Sequence, residues 1–258
     1  MTFVRQRFAM FSSLFGVLLV IAAIYAVRQD ANVWMMETSS DAGFVLTDIS
    51  ITGLDRTQER DVQAVLDIDN GMPLLAIDLV EIQTRVEALP WVREAIVNRV
   101  LPGSVTIDVR ERVPFALSQV NGSVALIDRD GVTITDRGLG TYSELMLVVG
   151  DVSPEKLQQL DELTAVTPEL AGRIRSAVRI NGRRWDLLFR NGVRVKLPSE
   201  MASEYDMARA WGRFEKLNEK HRLLEREVSV IDLRLQDRLV VRVTPTGRRQ
   251  LEGKEWTL

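Results

Sequence analysis

The stretch Val105-Thr-Ile-Asp-Val-Arg110 alternates apolar and polar residues without a slip. Val105, Ile107 and Val109 point one way, and Thr106, Asp108 and Arg110 the other. A period of two commits this stretch to a strand with one buried face. Pro102-Gly103 ahead of it is a turn signal, with Pro setting φ and Gly free to take a positive φ. The preceding strand is less regular: Ala95 and Val97 share a face, and Ile96 breaks the alternation. So short a turn makes the two strands antiparallel neighbours. Before them, Asp78 to Leu89 predicts a helix with Leu79, Ile82, Val86 and Leu89 on one stripe. Asp78 can cap it, with Glu81 three residues on.

Upstream, Val45 to Gly53 reads as a strand with Ile49 and Ile51 on one face. Thr57 can cap a second helix carrying Val62, Val65 and Leu66. The order is strand, helix, helix, strand, strand, and a three-stranded sheet with both helices on one face would bury one side of each element.

Three blocks in this region carry a resemblance. The first is Ile49-Ser-Ile-Thr-Gly53-Leu, and the second is Gly71-Met-Pro-Leu-Leu. The third runs from Leu89-Pro-Trp-Val through Ala95-Ile-Val-Asn-Arg99, Leu101-Pro and Val105 to Glu111, closing with Arg-Val-Pro-Phe-Ala116. Together they resemble a POTRA domain, and more narrowly that of the FtsQ/DivIB family of bacterial cell-division proteins. Ser118 departs from the family, whose members often carry Trp just after this block. The resemblance implies an α+β fold: a membrane helix, a POTRA domain and a β-rich C-terminal domain with an antiparallel meander and flanking helices.

Phe8 to Val27 carries no charge. At 1.5 Å per residue it reaches about 30 Å, the thickness of a bilayer's hydrocarbon core. Arg5 and Arg7 precede it, so the positive-inside rule puts the short tail in the cytoplasm and the body outside. A cleaved signal peptide fits less well: the run is longer than a usual apolar core, and Ile24-Tyr25-Ala26 is not a small-x-small site. Gln29 to Phe44 reads as a linker. The expected layout is a cytoplasmic tail over 1–7, a membrane helix over 8–27, a linker over 28–44, the POTRA domain over 45–113, the β-domain over 114–244 and a flexible polar tail over 245–258.

From Phe115 the texture changes to short strands and tight turns. Ala116 to Val120 and Ser123 to Ile127 flank Asn121-Gly122, a strong two-residue hairpin signal, and Leu145 to Val149 is an apolar run suited to a buried strand. Ser153-Pro154 and Thr167-Pro168 open helices. Ile174 to Ile180, Arg184 to Phe189 and Val193 to Leu197 follow as strands joined at Asn181-Gly182 and Asn191-Gly192. Pro198 to about Leu217 predicts a helix with Met201, Tyr205, Ala208 and Trp211 on one face. Two last strands are expected over Val228 to Leu235 and Arg238 to Val243.

A search for chemistry returns little. There is no cysteine, which excludes a thiol nucleophile, and His221 is the only histidine, set in a charged segment where it reads as a surface residue. Asp67-Ile-Asp69-Asn-Gly71 lacks the spacing of a calcium loop and reads as a helix-ending turn; Asp128-Arg-Asp-Gly131 falls short in the same way. The net charge is −3, and the only charges before Gln29 are Arg5, Arg7 and Arg28, so the body is acidic and poorly suited to nucleic acid. No catalytic residue, metal or cofactor is expected.

A body without chemistry works by binding, and a sheet edge offers unpaired N–H and C=O groups to a partner strand. The last strand is the candidate: Leu239, Val241 and Val243 alternate with Val240 and Arg242. Its residues alone leave two readings open, a strand buried on both faces or an edge. The family resemblance implies the edge, with the last strands receiving a segment of FtsB, a coiled-coil protein paired with FtsL. Asp232-Leu-Arg-Leu235 matches the family's Asp-Leu-Arg-Tyr-like block, so Arg234 carries over as the cation for an acidic partner residue, while Leu235 replaces the frequent Tyr. The expected docking residues are Arg234, Leu235, Arg238, Leu239, Val240, Val241, Arg242 and Val243. The resemblance further implies contacts with FtsK and with other divisome members such as FtsW and FtsI, and a single-pass place in the inner membrane at the septum. POTRA domains also serve outer-membrane transport and assembly, a reading that would call for repeated units and a barrel. A cell-wall hydrolase would call for a catalytic cluster.

Overall fold

The computed structural model of the chain describes residues 44–199 and 206–252, so the predicted membrane helix over 8–27 lies outside them. Among the described residues no helix is long and apolar enough to cross a membrane. The chain divides into two compact units between Glu111 and Arg112.

The first unit runs β1 (Asp48–Thr52), α1 (Glu59–Leu66), α2 (Leu79–Glu87), β2 (Val92–Val100) and β3 (Ser104–Glu111). Its sheet has the order β1-β3-β2, with β1 parallel and β2 antiparallel to β3. Val105, Ile107 and Val109 are buried against Val62 and Leu66 of α1 and Ile82 and Val86 of α2. The irregularity of β2 is a register shift between Val92 and Glu94, which buries both Val92 and Ala95 and leaves Ile96 half exposed. Asp78 caps α2, accepting from the N–H groups of Val80 and Glu81 at 2.9 and 3.1 Å.

Two local expectations are corrected. Gly103 is not there for a positive φ; it is there for space. Its carbonyl accepts the Thr47 N–H at 2.7 Å, and a Cβ on it would stand 2.7 Å from the Val45 carbonyl oxygen. Thr57 does not cap α1. Its N–H donates to Glu111 Oε1 at 2.6 Å, alongside those of Arg56 to Oε2 at 2.8 Å and Asp55 to Oε1 at 3.2 Å, so the loop before α1 is gripped by a carboxylate at the end of β3. Asp67 does end α1, in the left-handed region at φ 52°, and pairs with Arg85 at 3.2 Å.

The second unit holds a nine-stranded sheet in the order β12-β11-β10-β9-β8-β7-β4-β5-β6. Its strands are β4 (Ala116–Val120), β5 (Ser123–Ile127), β6 (Thr133–Thr135), β7 (Leu147–Val149), β8 (Ile174–Ile180), β9 (Arg184–Phe189), β10 (Arg194–Lys196), β11 (Val228–Asp232) and β12 (Val240–Val243). The antiparallel meander covers only β8-β9-β10 and β4-β5-β6. Three pairs are parallel: β4 with β7, β7 with β8, and β10 with β11. The sheet is therefore mixed: helices return the chain to the same end between β7 and β8 and between β10 and β11, whereas β4 and β7 are linked through β5 and β6.

The helices are α3 (Pro154–Ala165), α4 (Pro168–Ala171), α5 (Met207–His221) and α6 (Pro245–Glu252). Leu157, Leu160 and Leu163 of α3 join Ala210, Trp211 and Phe214 of α5 over Ala177, Leu187, Phe189, Val195 and Ile231 of the sheet. The expected start of α5 at Pro198 is corrected. Asp206 caps it, accepting the Arg209 N–H at 2.8 Å. That frame buries Ala210 and leaves Ala208 exposed; Met201 and Tyr205 lie outside the described residues. Thr167 is no cap either: its hydroxyl accepts the Trp211 indole N–H at 2.8 Å inside the core. The polar end of the chain was expected to be flexible, yet residues 245–252 form α6. Thr244 Oγ1 accepts the Gly247 N–H at 3.1 Å, in the manner of a cap, with Pro245 at the first helical position.

Candidate partner-docking edge

β12 ends the strand order of the large sheet. It pairs with β11 through Val228↔Val243, Val230↔Arg242, Ile231↔Val241 and Asp232↔Val240. Main-chain contacts show which groups that pairing uses. The Arg242 carbonyl accepts the Ser229 hydroxyl at 3.1 Å, and the Thr244 N–H donates to the Glu227 carbonyl at 2.9 Å. Both partners lie on the β11 side. Successive residues of a strand turn their N–H and C=O groups to alternate sides. Val240, Arg242 and Thr244 therefore face β11, and the N–H and C=O groups of Val241 and Val243 face the open margin.

Val240 and Val241 are 46% and 36% exposed, so a strand with both faces buried does not hold. Ile231 is wholly buried in the core, which puts its partner Val241 on the helix-covered side of the sheet; Leu239 and Val243 pack partly on that core. Val240 and Arg242 face the other side.

The eight expected docking residues split between strand and loop. Val240, Val241, Arg242 and Val243 form β12, whereas Arg234, Leu235, Arg238 and Leu239 sit in the connection from β11, which was expected to be strand almost throughout. Leu235 is 45% exposed, and Arg238 pairs with its neighbour Asp237 at 3.3 Å on the surface. The loop is pinned at two points: Leu233 N–H donates to the Lys196 carbonyl at 2.9 Å, and Arg213 of α5 donates through Nη1 to the Gln236 carbonyl at 2.6 Å.

Arg234 is held by Asp232. Its Nε donates to Oδ1 at 2.8 Å, its Nη2 to Oδ2 at 2.6 Å, and its backbone N–H to Oδ1 at 3.1 Å. The guanidinium outweighs the burial of Asp232 and holds its carboxyl below the ordinary aspartate range. Register places Asp186, Lys196 and Asp232 in one row across β9, β10 and β11, on the face away from α5, and Arg184 reaches Asp186 at 3.3 Å. Asp232, Arg213 and Thr244 were missed as parts of the edge. Only Thr244 carried a readable signal, the Thr-Pro pair.

Elsewhere, His221 ends α5 on the surface. Asp128 is buried and spends its oxygens on Arg112 Nη1 at 2.6 Å and on the N–H groups of Val132 and Asp130 at 2.8 and 3.0 Å, which shapes the turn before β6.

Residues 44–112 match the FtsQ-type POTRA domain, and residues 116–234 match the C-terminal domain of the cell division protein FtsQ/DivIB. The second match stops at Arg234, ahead of β12. Among whole proteins, the chain is similar to the cell division protein FtsQ of Rhizobium meliloti (strain 1021), with 35% identity over 83% of this chain and 68% of that one. It is 31% identical to the protein of the same name from Bartonella bacilliformis, over 86% of this chain and 71% of that one. The Caulobacter vibrioides (strain NA1000 / CB15N) protein of that name is 32% identical over 80% of this chain and 66% of its own.

Proposed function

Because the chain belongs to the FtsQ/DivIB family of cell-division proteins, we propose that it is a non-enzymatic scaffold of the divisome, with β12 as its docking edge for FtsB and the FtsL bound to it. In this reading the uncharged run Phe8 to Val27 anchors it once in the inner membrane, with the short tail cytoplasmic and both units periplasmic at the septum. The POTRA unit meets FtsK and other members such as FtsW and FtsI. Through these contacts the protein links early and late division proteins and helps to control septal peptidoglycan synthesis.

The observation that carries the reading is the open margin of β12, where the main-chain groups of Val241 and Val243 face no partner strand among the described residues and lie beside exposed apolar side chains. An added strand gains affinity from those groups and specificity from the side chains around them. The test is a titration of the full-length chain in detergent with the purified FtsB–FtsL pair of the same genome. Val241→Pro removes a donor that faces the margin and should abolish docking while the thermal melt holds. Arg242→Pro removes a donor that faces β11 and should lower the melting temperature instead. Arg234→Glu should weaken docking by charge. If Val241→Pro binds like wild type, the edge is not the site; if wild type does not bind, the scaffold reading loses its main support.

A further inference from the structure

The Arg234 guanidinium has two flat donor forks, one of Nε with Nη2 and one of Nη1 with Nη2. Asp232 occupies the first with both carboxylate oxygens, at 2.8 and 2.6 Å. Among the described residues Nη1 has no partner, and the Arg234 side chain is 45% exposed against 19% for Asp232. The anchor is thus the more buried of the two, fastened to a strand inside the sheet, while the arginine it holds is the more exposed.

We propose that Asp232 is a positioning residue of the docking edge, holding Arg234 so that its Nη1/Nη2 fork is preset for one Asp or Glu carboxylate of the incoming segment. This rests on the docking reading above. An unheld arginine on a loop would lose its rotamer freedom on docking; here that freedom is already lost in the free protein, so a partner carboxylate meets a fixed, bidentate donor. The Asp232–Arg234 pair is close to neutral, so its gain lies in direction and not in long-range attraction. That separates positioning from plain electrostatics. Removing the Asp232 charge would strengthen the pull on an acidic partner, but it also frees the fork.

The experiment is a double-mutant cycle on the full-length chain, titrated with the FtsB–FtsL pair, with a thermal melt on each variant. Arg234→Ala is expected to weaken binding about tenfold, in keeping with one lost charge-assisted contact. Asp232→Asn keeps the shape of the residue but turns a donor at Nη2, and should also weaken binding. In the Arg234→Ala background, Asp232→Asn should cost nothing further. Binding that is unchanged or tighter in Asp232→Asn, or losses that simply add, would overturn the proposal and leave the docking edge intact. Wild type that fails to bind would instead remove the docking reading itself. Should Asp232→Asn prove unstable, Arg234→Lys carries the same question: it keeps the charge and removes the fork, so weaker binding supports positioning and unchanged binding overturns it.

Discussion

Glu111 shows how one side chain decides a loop. Burial pushes its carboxyl up, but the N–H donors of Thr57, Arg56 and Asp55 outweigh that, and its pKa sits below the ordinary 4.5. A lowered carboxyl contributes stability that is fully present above its unfolded value and is lost as pH falls through the folded one. Glu111→Ala should therefore destabilise the first unit by about 1–3 kcal/mol at pH 7, and the gap from wild type should narrow below about pH 4. Urea unfolding at pH 7 and pH 3 checks this; a gap that stays constant would mean that the charge is not what matters. Nothing in the sequence marks Glu111 as a clamp, since its partners lie more than fifty residues away. Asp78 was legible as a cap because its partners are two and three residues on. Arg234 was legible only through the family block, and Asp232 not at all as its holder. An i, i+2 pair folded back across a loop has no periodicity to announce it.

At the level of elements, the alternation of β3 and the stripe of α2 were readable because each buries one face against a core. The Ser-Pro and Thr-Pro starts of α3 and α4 were readable too, although neither Ser153 nor Thr167 makes a side-chain cap hydrogen bond. The same Thr-Pro signal at Thr244 went unused because α6 has no apolar stripe; among its residues with a described environment only Gly247 is buried. What strand patterns do not hold is the neighbour. β7 lies between β4 and β8, parallel to both, and no local pattern says so. Close backbone approaches are equally silent. Gly53, at φ 81°, is pressed so tightly on the Val109 carbonyl that a Cβ there would overlap it. Gly53→Ala combines that clash with a left-handed φ and should cost the first unit about 2 kcal/mol or more. Chemical unfolding measures it, and a change under about 0.5 kcal/mol, the size of an ordinary surface substitution, would show that β1 can slide away from β3.

On the scale of the whole molecule, protection should follow position in the sheets. Hydrogen exchange of the full-length chain should be slowest at β3 and at β8 and β9, which have strands on both sides, and fast at Val241 and Val243. Arg242, turned toward β11, should exchange more slowly than either neighbour. A Val241 amide as protected as those of β9 would mean that something already covers the margin. The strand order has a temporal consequence as well. A chain is synthesised from its N-terminus, so β12 emerges after every other strand of the described residues. A product broken off within the loop over 233–239 would end its sheet at β11, whose side of the β11–β12 ladder would lie bare and carry a different row of side chains. Only a chain that has added β12 displays that margin, which makes the open edge a late product of building the second unit's sheet.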